Sequence, residues 1–325
     1  MTKKRFSVAF LGAGTAAEMH GRAIVLHGDA AMAGIFDPNL ANAKNIANRF
    51  GGKIYASEAE LLNDPSIDAV YVLTPVELHV SQAAAVLAAG KHVLIEKPVA
   101  MATTEIDELE RLAKERNRVC MPGHNYIYVP SLARGKRLIE AGKLGDIASL
   151  WVLYNIFHPE EIARRYGGVL REVCVHHIYS LLYLVGRPVS VVATTSHLHY
   201  KELKCEDQVM VTCRMPGGAL AHLWASFAAS DPTSHPWSVA YKVLGTKGGF
   251  NYDWDEAQFD DQGGPAWGLP CYEDGFIGET AHFLNRCIAH GEPPLSMLSH
   301  ARDTLRIIEA AELSLKTQRV ETITY

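Results

Sequence analysis

Four short groups of residues carry chemistry in their types and spacing. Gly12-Ala13-Gly14-Thr15-Ala16-Ala17 follows an apolar run and opens a helical one. In that setting Gly12 permits a tight turn, Gly14 lets the backbone approach a pyrophosphate, and Ala17 is small enough for close helix–strand packing. The helix start at Thr15 and Ala16 offers free N–H groups and the positive end of a dipole. Asp37 ends the next apolar run. An acidic side chain there accepts from a ribose 2′-hydroxyl and repels a 2′-phosphate, which favours NAD over NADP. Without a ligand, the same residues read as a glycine turn and a turn aspartate before Pro38.

Glu96-Lys97-Pro98 follows the apolar run His92–Ile95. In a parallel sheet, ligands gather at the C-terminal ends of the strands. A lysine there can meet a substrate oxygen and offset charge developing on it. Thr74-Pro75 ends a neighbouring apolar run in the same way. The fourth group is Glu172-Val173-Cys174-Val175-His176-His177. On a helix, Glu172 and His176 are one turn apart and share a face. A carboxylate beside an imidazole fixes its tautomer and suits it to act as a general base. The same spacing also describes an ordinary surface pair.

The elements that must position these groups follow from the apolar periods. Phe6–Leu11, Met32–Phe36, Ala69–Leu73, His92–Ile95 and Val119–Met121 read as strands. Ala16–Leu26, Leu40–Phe50 capped by Asn39, Val80–Ala89, and Thr103–Glu115 capped by Thr103 or Thr104 read as the helices between them. Continuous apolar strands alternating with helices imply a doubly wound parallel sheet covered on both faces. After about residue 124 the rhythm changes. Ser131–Ala141 and Val169–Leu184 read as helices, and Ile147–Phe157, Ser190–His199, Gln208–Met215, Ala219–Ala228 and Ser238–Leu244 as strands. Residues 254–275 read as a surface loop, and Phe276–His290 and His300–Thr317 as closing helices. The fold class expected is α/β: a Rossmann domain over 1–123, then an α+β domain over 124–325 with a mostly antiparallel open sheet.

Taken together, Gly12–Ala17, Asp37, Thr74-Pro75 with His79, Gly90-Lys91-His92-Val93 running into Glu96-Lys97-Pro98, and Gly142-Lys143-Leu144-Gly145 resemble the glucose–fructose oxidoreductase / inositol dehydrogenase / rhizopine-catabolism (Gfo/Idh/MocA) family. The run Glu279 to Phe283, then Ala301–Ala311 and Ser314, looks like its closing helices. The resemblance implies a catalytic lysine at Lys97 and a catalytic histidine at His176, with Glu172 beside it. It implies cofactor contacts from Gly12, Gly14, Thr15, Ala16 and Asp37, and from Thr74, Pro75, His79, Glu96 and Lys97. Substrate contacts are implied for Lys97, Tyr126, Asn155, Glu172 and His176. The family's second-domain pattern has Asp, Gly and His after a Gly-Gly turn. Here Gly167-Gly168 precede Glu172, Cys174 and His176, so Glu172 and Cys174 depart from the pattern. Tyr179 stands where a further Asp is common, and Tyr126-Ile127 where many members have two arginines. The family also implies a cis peptide between Lys97 and Pro98.

The activity implied is NAD-dependent hydride transfer between a secondary alcohol and a ketone on a sugar, cyclitol or related polyol. An NAD-dependent redox-assisted glycosidase and a non-catalytic NAD(H)-binding regulator are the alternatives. The family commonly forms homodimers or homotetramers through the second-domain sheet, and the same is expected here.

Composition bounds the rest. The 325 residues carry a net charge of −5 with no basic block, which argues against nucleic acid and anionic membrane surfaces as partners. No run approaches the roughly 20 apolar residues of a membrane span, and no signal peptide is evident, so the expected location is cytoplasmic. The six cysteines include no CxxC pair, and no metal site is expected. His197 and His199 alternate on a strand candidate and share a face, but have no carboxylate partner nearby. Trp151, Tyr154, Asn155 and His158 lie on or just past the first strand of the second domain, as pocket lining or as sheet packing. Arg164 and Arg165 read as solvated.

Overall fold

A computed structural model of the chain describes residues 6–164, 166–228, 237–253 and 270–325. The apolar runs of the first third form β1 (Phe6–Leu11), β2 (Ala30–Phe36), β3 (Lys53–Ile54), β4 (Ala69–Val72), β5 (His92–Glu96) and β6 (Cys120–Gly123). They pair in parallel in the order β3-β2-β1-β4-β5-β6, which reverses direction beside β1. Helices α1 (Thr15–His27), α2 (Leu40–Phe50), α3 (Glu58–Leu62), α4 (Val76–Ala88) and α5 (Thr103–Arg116) connect them. On one face of the sheet, Ala9, Leu11, Val70, Val72, Val93 and Ile95 pack with Val86 and Leu87 of α4 and Leu109 of α5. On the other, Phe10 stacks on Tyr71 at 5.6 Å, both fully buried. Burial on both faces explains the unbroken apolar strands. Each buried Val, Leu or Ile contributes about 1.5–3 kcal/mol.

Two polar details fix the connections. Asn39 caps α2 by accepting from the Ala41 N–H at 3.0 Å. Helix α5 departs from expectation: its cap is Ala102, and Thr103 and Thr104 lie inside the first turn. The Glu105 carboxylate reaches back to the N–H groups of Met101 and Ala102, replacing a threonine cap.

The rest of the chain contains α6 (Pro130–Glu140), β7 (Ile147–Ile156), α7 (Glu160–Ala163), α8 (Val169–Glu172), α9 (Cys174–Val185), β8 (Ser190–Ser196), β9 (Gln208–Arg214), β10 (Leu220–Ser226), β11 (Trp237–Gly245), β12 (Gly249–Asp253), α10 (Pro270–Ala281), α11 (Leu298–Thr317) and β13 (Glu321–Thr322). Its sheet runs β12-β11-β7-β10-β9-β8-β13, and every pair is antiparallel except β7 with β10. Along β7, Leu150, Val152 and Tyr154 are buried while Trp151 and Leu153 are 49% and 39% exposed. This is the alternation of a sheet covered on one face. Among the described residues, no helix is long and apolar enough to cross a membrane.

Three expectations change. Residues 254–269 lie outside the described residues, and 270–275 are helical rather than loop, because α10 starts at Pro270, a residue suited to a first helical turn. A π-helical stretch, His282–Ile288, follows α10. Strand β8 ends at Ser196, so His197 and His199 do not alternate on a strand. The buried Asp207 carboxylate accepts from the N–H groups of Leu198 and His199 and turns the backbone there.

The chain divides into two compact units, Met1–Tyr128 with Glu273–Arg302, and Val129–Tyr272 with Asp303–Tyr325. This differs from a single cut at residue 123. Residues up to Tyr128 belong to the first unit, where the buried Tyr128 hydroxyl bonds Ser296 Oγ at 2.8 Å.

Candidate functional site

In the first unit, Gly12 sits at φ +95°, and a Cβ there would lie 2.6 Å from the Leu73 carbonyl oxygen. Only glycine fits that turn. Asp37 braces it. One carboxylate oxygen accepts from Ala13 N–H at 2.8 Å and the other from Asn39 N–H at 2.7 Å. Gly14 caps α1 with no side-chain hydrogen bond, and a Cβ on it would meet nothing within 4 Å among the described residues. The start of α1, at Thr15 and Ala16, is thus an uncapped helix end with open space before it. That fits a dinucleotide pyrophosphate.

Thr74, Pro75 and His79 form a clamp between strand ends. Pro75 precedes α4, and the Thr74 hydroxyl donates to Gln82 Oε1 at 2.6 Å. The buried His79 ring places its nitrogens 2.7 Å from the Pro98 carbonyl oxygen and 2.6 Å from that of Thr74, two acceptors. The loops after β4 and β5 are therefore held together. Lys91, part of the family-like run, is structural. Its ammonium donates to the carbonyls of Asp64 and Ile67 at 2.6 and 3.1 Å.

Lys97 directly follows β5, and the Lys97–Pro98 peptide is cis. Glu96, expected as a cofactor contact, directs both oxygens at the protein. Oε1 accepts from His20 Nε2–H at 2.9 Å, and Oε2 from the Lys97 N–H at 2.8 Å. Burial raises its proton affinity. The His20 hydrogen bond and charge, with the Lys97 charge and N–H, outweigh that and hold Glu96 below the usual carboxylate range. His124 is fully buried and is pushed down to about 3 by desolvation, helped by His300 and Lys97. Tyr126, expected to meet substrate, is only 2% exposed and sits in the short 3₁₀ turn Asn125–Tyr128.

In the second unit, Gly168 at φ +109° starts α8, where a Cβ would lie 2.6 Å from Glu206 Oε1. That oxygen accepts from Leu170 N–H at 2.9 Å and caps α8. The helix stops at Glu172. Val173 has φ −111°, and α9 begins at Cys174. This corrects the single helix expected over Val169–Leu184. Glu172 and His176 lie on two short helices either side of Val173. Glu172 Oε1 lies over the glycine turn, 3.8 Å from a Cβ built on Gly167. The His176 imidazole is half-buried, and its Nδ1 is 2.7 Å from the Tyr179 hydroxyl. Cys174 and His177 belong to the core. Both are fully buried, and burial pushes His177 down to about 3.

Asn155 is buried, and its Oδ1 has no hydrogen-bond partner among the described residues. Trp151, four residues earlier on the same face of β7, is exposed and packs on His222 with ring centroids 4.2 Å apart. His158 lies against Tyr166 and Phe227, and burial pushes it down to about 4. Arg164 is exposed and pairs with Glu202 at 2.6 Å, while Arg165 is outside the described residues. Sequence reasoning missed the partnership of Tyr179 with His176, although the three-residue spacing was available. It also missed His20, which stands in no recognisable motif, and assigned no role of its own to Glu279, which opens the family-like run Glu279 to Phe283.

Residues 6–124 match the model of an oxidoreductase family with an NAD-binding Rossmann fold, and residues 132–251 match the GFO/IDH/MocA C-terminal domain. Over 205 residues the chain is 30% identical to 1,5-anhydro-D-fructose reductase of Ensifer adhaerens, covering 61% of this chain and 60% of that protein. It is 37% identical over 140 residues to scyllo-inositol 2-dehydrogenase (NADP(+)) of Bacillus subtilis, covering 41% of this chain and 39% of that one. In both cases the match spans less than two thirds of the relative. A crystal structure of a myo-inositol dehydrogenase from Corynebacterium glutamicum shares the fold, with TM-score 0.86, 22% identity and 99% coverage of each chain.

Proposed function

This chain belongs to the Gfo/Idh/MocA oxidoreductase family, and from that premise we propose that it is an NAD-dependent dehydrogenase or reductase of a sugar, cyclitol or related polyol. A secondary alcohol and a ketone interconvert. When bound, NAD supplies the hydride acceptor. The start of α1, with Gly12, Gly14, Thr15 and Ala16, holds the pyrophosphate, and Asp37 accepts from the adenosine ribose. Lys97 hydrogen-bonds the reacting oxygen and offsets its partial negative charge. His176 takes the hydroxyl proton, or returns it in the reverse direction. Asn155 offers an acceptor for a neighbouring substrate hydroxyl.

The observation that carries this reading is Lys97 at a strand end, its backbone pinned by a part-buried carboxylate. The protein is to be mixed with NAD or NADP and a panel of inositols, aldoses and anhydro-sugars, and reduced nicotinamide followed by absorbance. Reduction should appear with NAD and fall by about 10²–10⁴ in His176→Ala. Full activity in that variant, or tight NADH binding with no turnover of any polyol or ketone, would sink the assignment.

The same reading includes a homo-oligomer formed through the open face of the second sheet. Supporting it are Trp151, Leu153, Leu220 and Leu244, each 39–49% exposed on adjacent strands. Light scattering should give a dimer or tetramer, and Trp151→Glu should weaken it. A cytoplasmic location, supported by five free thiols among the described residues, completes the proposal.

A further inference from the structure

The first unit buries polar chemistry behind Lys97. Glu279, on α10, has no exposed surface, and neither of its carboxyl oxygens has a hydrogen-bond partner among the described residues. Its surroundings come from several elements: Tyr71 from β4, Glu96 from the end of β5, and His124 and Tyr128 from the segment after β6. His20 of α1 and Lys97 bear on Glu96 in turn. Aromatic contacts lock this arrangement. The His20 ring is 4.9 Å from Phe276, one turn before Glu279, and 5.2 Å from Tyr71, which is 5.7 Å from Phe283.

Two neighbouring carboxyls in so dry a place cannot both ionise. Glu96 has a donor on each oxygen, and the Lys97 charge beside it. Glu279 has no such partner. We propose that Glu279 is the fully buried, proton-carrying member of a carboxyl pair, and that the ionised, part-buried member, Glu96, is a positioning residue for Lys97. With Glu279 neutral, the Glu96 charge is directed at His20 and Lys97. A second anion would compete for the same donors and loosen the Lys97 backbone. The proton affinities run in the matching directions. Burial and the Glu96 charge push Glu279 well above the usual carboxylate range, while Glu96 is held below it.

The role of Lys97 rests on the function proposed above, so the test has an arm that does not depend on activity. Folded Glu279 keeps a proton that the unfolded chain releases, so wild-type stability must fall as pH rises above the ordinary carboxylate range. Wild type and Glu279→Gln are to be unfolded across neutral and mildly alkaline pH. The wild-type folding constant should drop relative to the variant by up to about tenfold per pH unit. A difference independent of pH overturns the proposal. Should the variant not fold, the infrared spectrum of the wild type decides. A protonated carboxyl band at neutral pH, shifted in D₂O, is expected, and its absence overturns the proposal.

The kinetic arm uses Glu96→Gln. It should lower kcat by about tenfold or more, leave KM for the polyol nearly unchanged and move the basic limb of the pH profile to lower pH, with partial rescue by Glu96→Asp. A change in KM alone overturns the positioning role. An active Lys97→Met enzyme overturns the assigned chemistry and that role with it, while the stability arm still decides where the proton is.

Discussion

Nδ1 of His176 lies 2.7 Å from the hydroxyl oxygen of Tyr179, one turn further along α9. A hydroxyl both donates and accepts, so it follows the imidazole through either protonation state. A group that gains and loses a proton in each turnover needs such a partner more than a fixed charge. Tyr179→Phe keeps the buried ring and removes the hydroxyl. It should lower kcat by about two- to tenfold, the worth of one hydrogen bond of about 0.5–1.5 kcal/mol. NADH affinity, read by fluorescence titration, should not change. Full turnover in the variant would mean that the hydroxyl only fills space.

Asp37 serves two purposes that mutation can separate. Its carboxylate oxygens hold Ala13 N–H and Asn39 N–H, and its charge disfavours a 2′-phosphate. Asp37→Asn preserves an acceptor and removes the charge. The preference for NAD over NADP, as the ratio of kcat/KM values, should fall by about 10–100-fold, in line with about 1.5–3 kcal/mol for a charged hydrogen bond. A wild type that prefers NADP, or a variant with an unchanged ratio, would remove Asp37 from cofactor choice.

Two glycines of one motif should fail differently. Gly12→Ala places a methyl 2.6 Å from a backbone carbonyl at φ +95°. It should cost about 1–3 kcal/mol in backbone strain alone and depress Tm. Gly14 has no described neighbour within 4 Å, and its φ is −80°. Gly14→Ala should leave stability within about 0.5 kcal/mol yet weaken NADH binding tenfold or more, because the methyl occupies space meant for the pyrophosphate. Normal NADH affinity in that variant would place the cofactor elsewhere.

What was legible in the sequence was mostly local. Strands β1, β4 and β5 are buried on both faces and read as unbroken apolar runs; the glycine turn and Lys97 fall where β1 and β5 end, and Asp37 where β2 ends. Two-residue strands such as β3 and β13 contain no period to detect. The larger misreadings were non-local in origin. The break at Val173 follows a helix capped by Glu206, 36 residues away. His197 and His199 leave the strand because Asp207 takes the N–H groups of Leu198 and His199. Glu279 sits in a helix whose composition does not announce that a carboxyl is fully buried. Its neighbours come from two strands and from the segment after a third, and no spacing in the chain encodes that meeting.

The buried histidines set the acid response of the fold. His124 in the first unit and His177 in the second are fully buried, and each is pushed down to about 3. Both are neutral when folded, whereas an unfolded histidine takes up a proton near pH 6.5. Below that value the unfolded state binds more protons, so stability falls as pH drops from about 6.5 towards 3. The slope is about 1.4 kcal/mol per pH unit for each such group. Between about pH 6.5 and 5 most carboxyls are ionised in both states and contribute little. Glu279 acts in the opposite sense, since its folded form already holds a proton. Replacing His177 by Leu removes one titrating group from a dry core and leaves the other groups in place. Thermal unfolding of both proteins across this window should show Tm of the wild type falling faster on acidification, so that the difference between them shrinks or reverses at low pH. Parallel curves would mean that His177 is already protonated in the folded protein, or that it is reached by water.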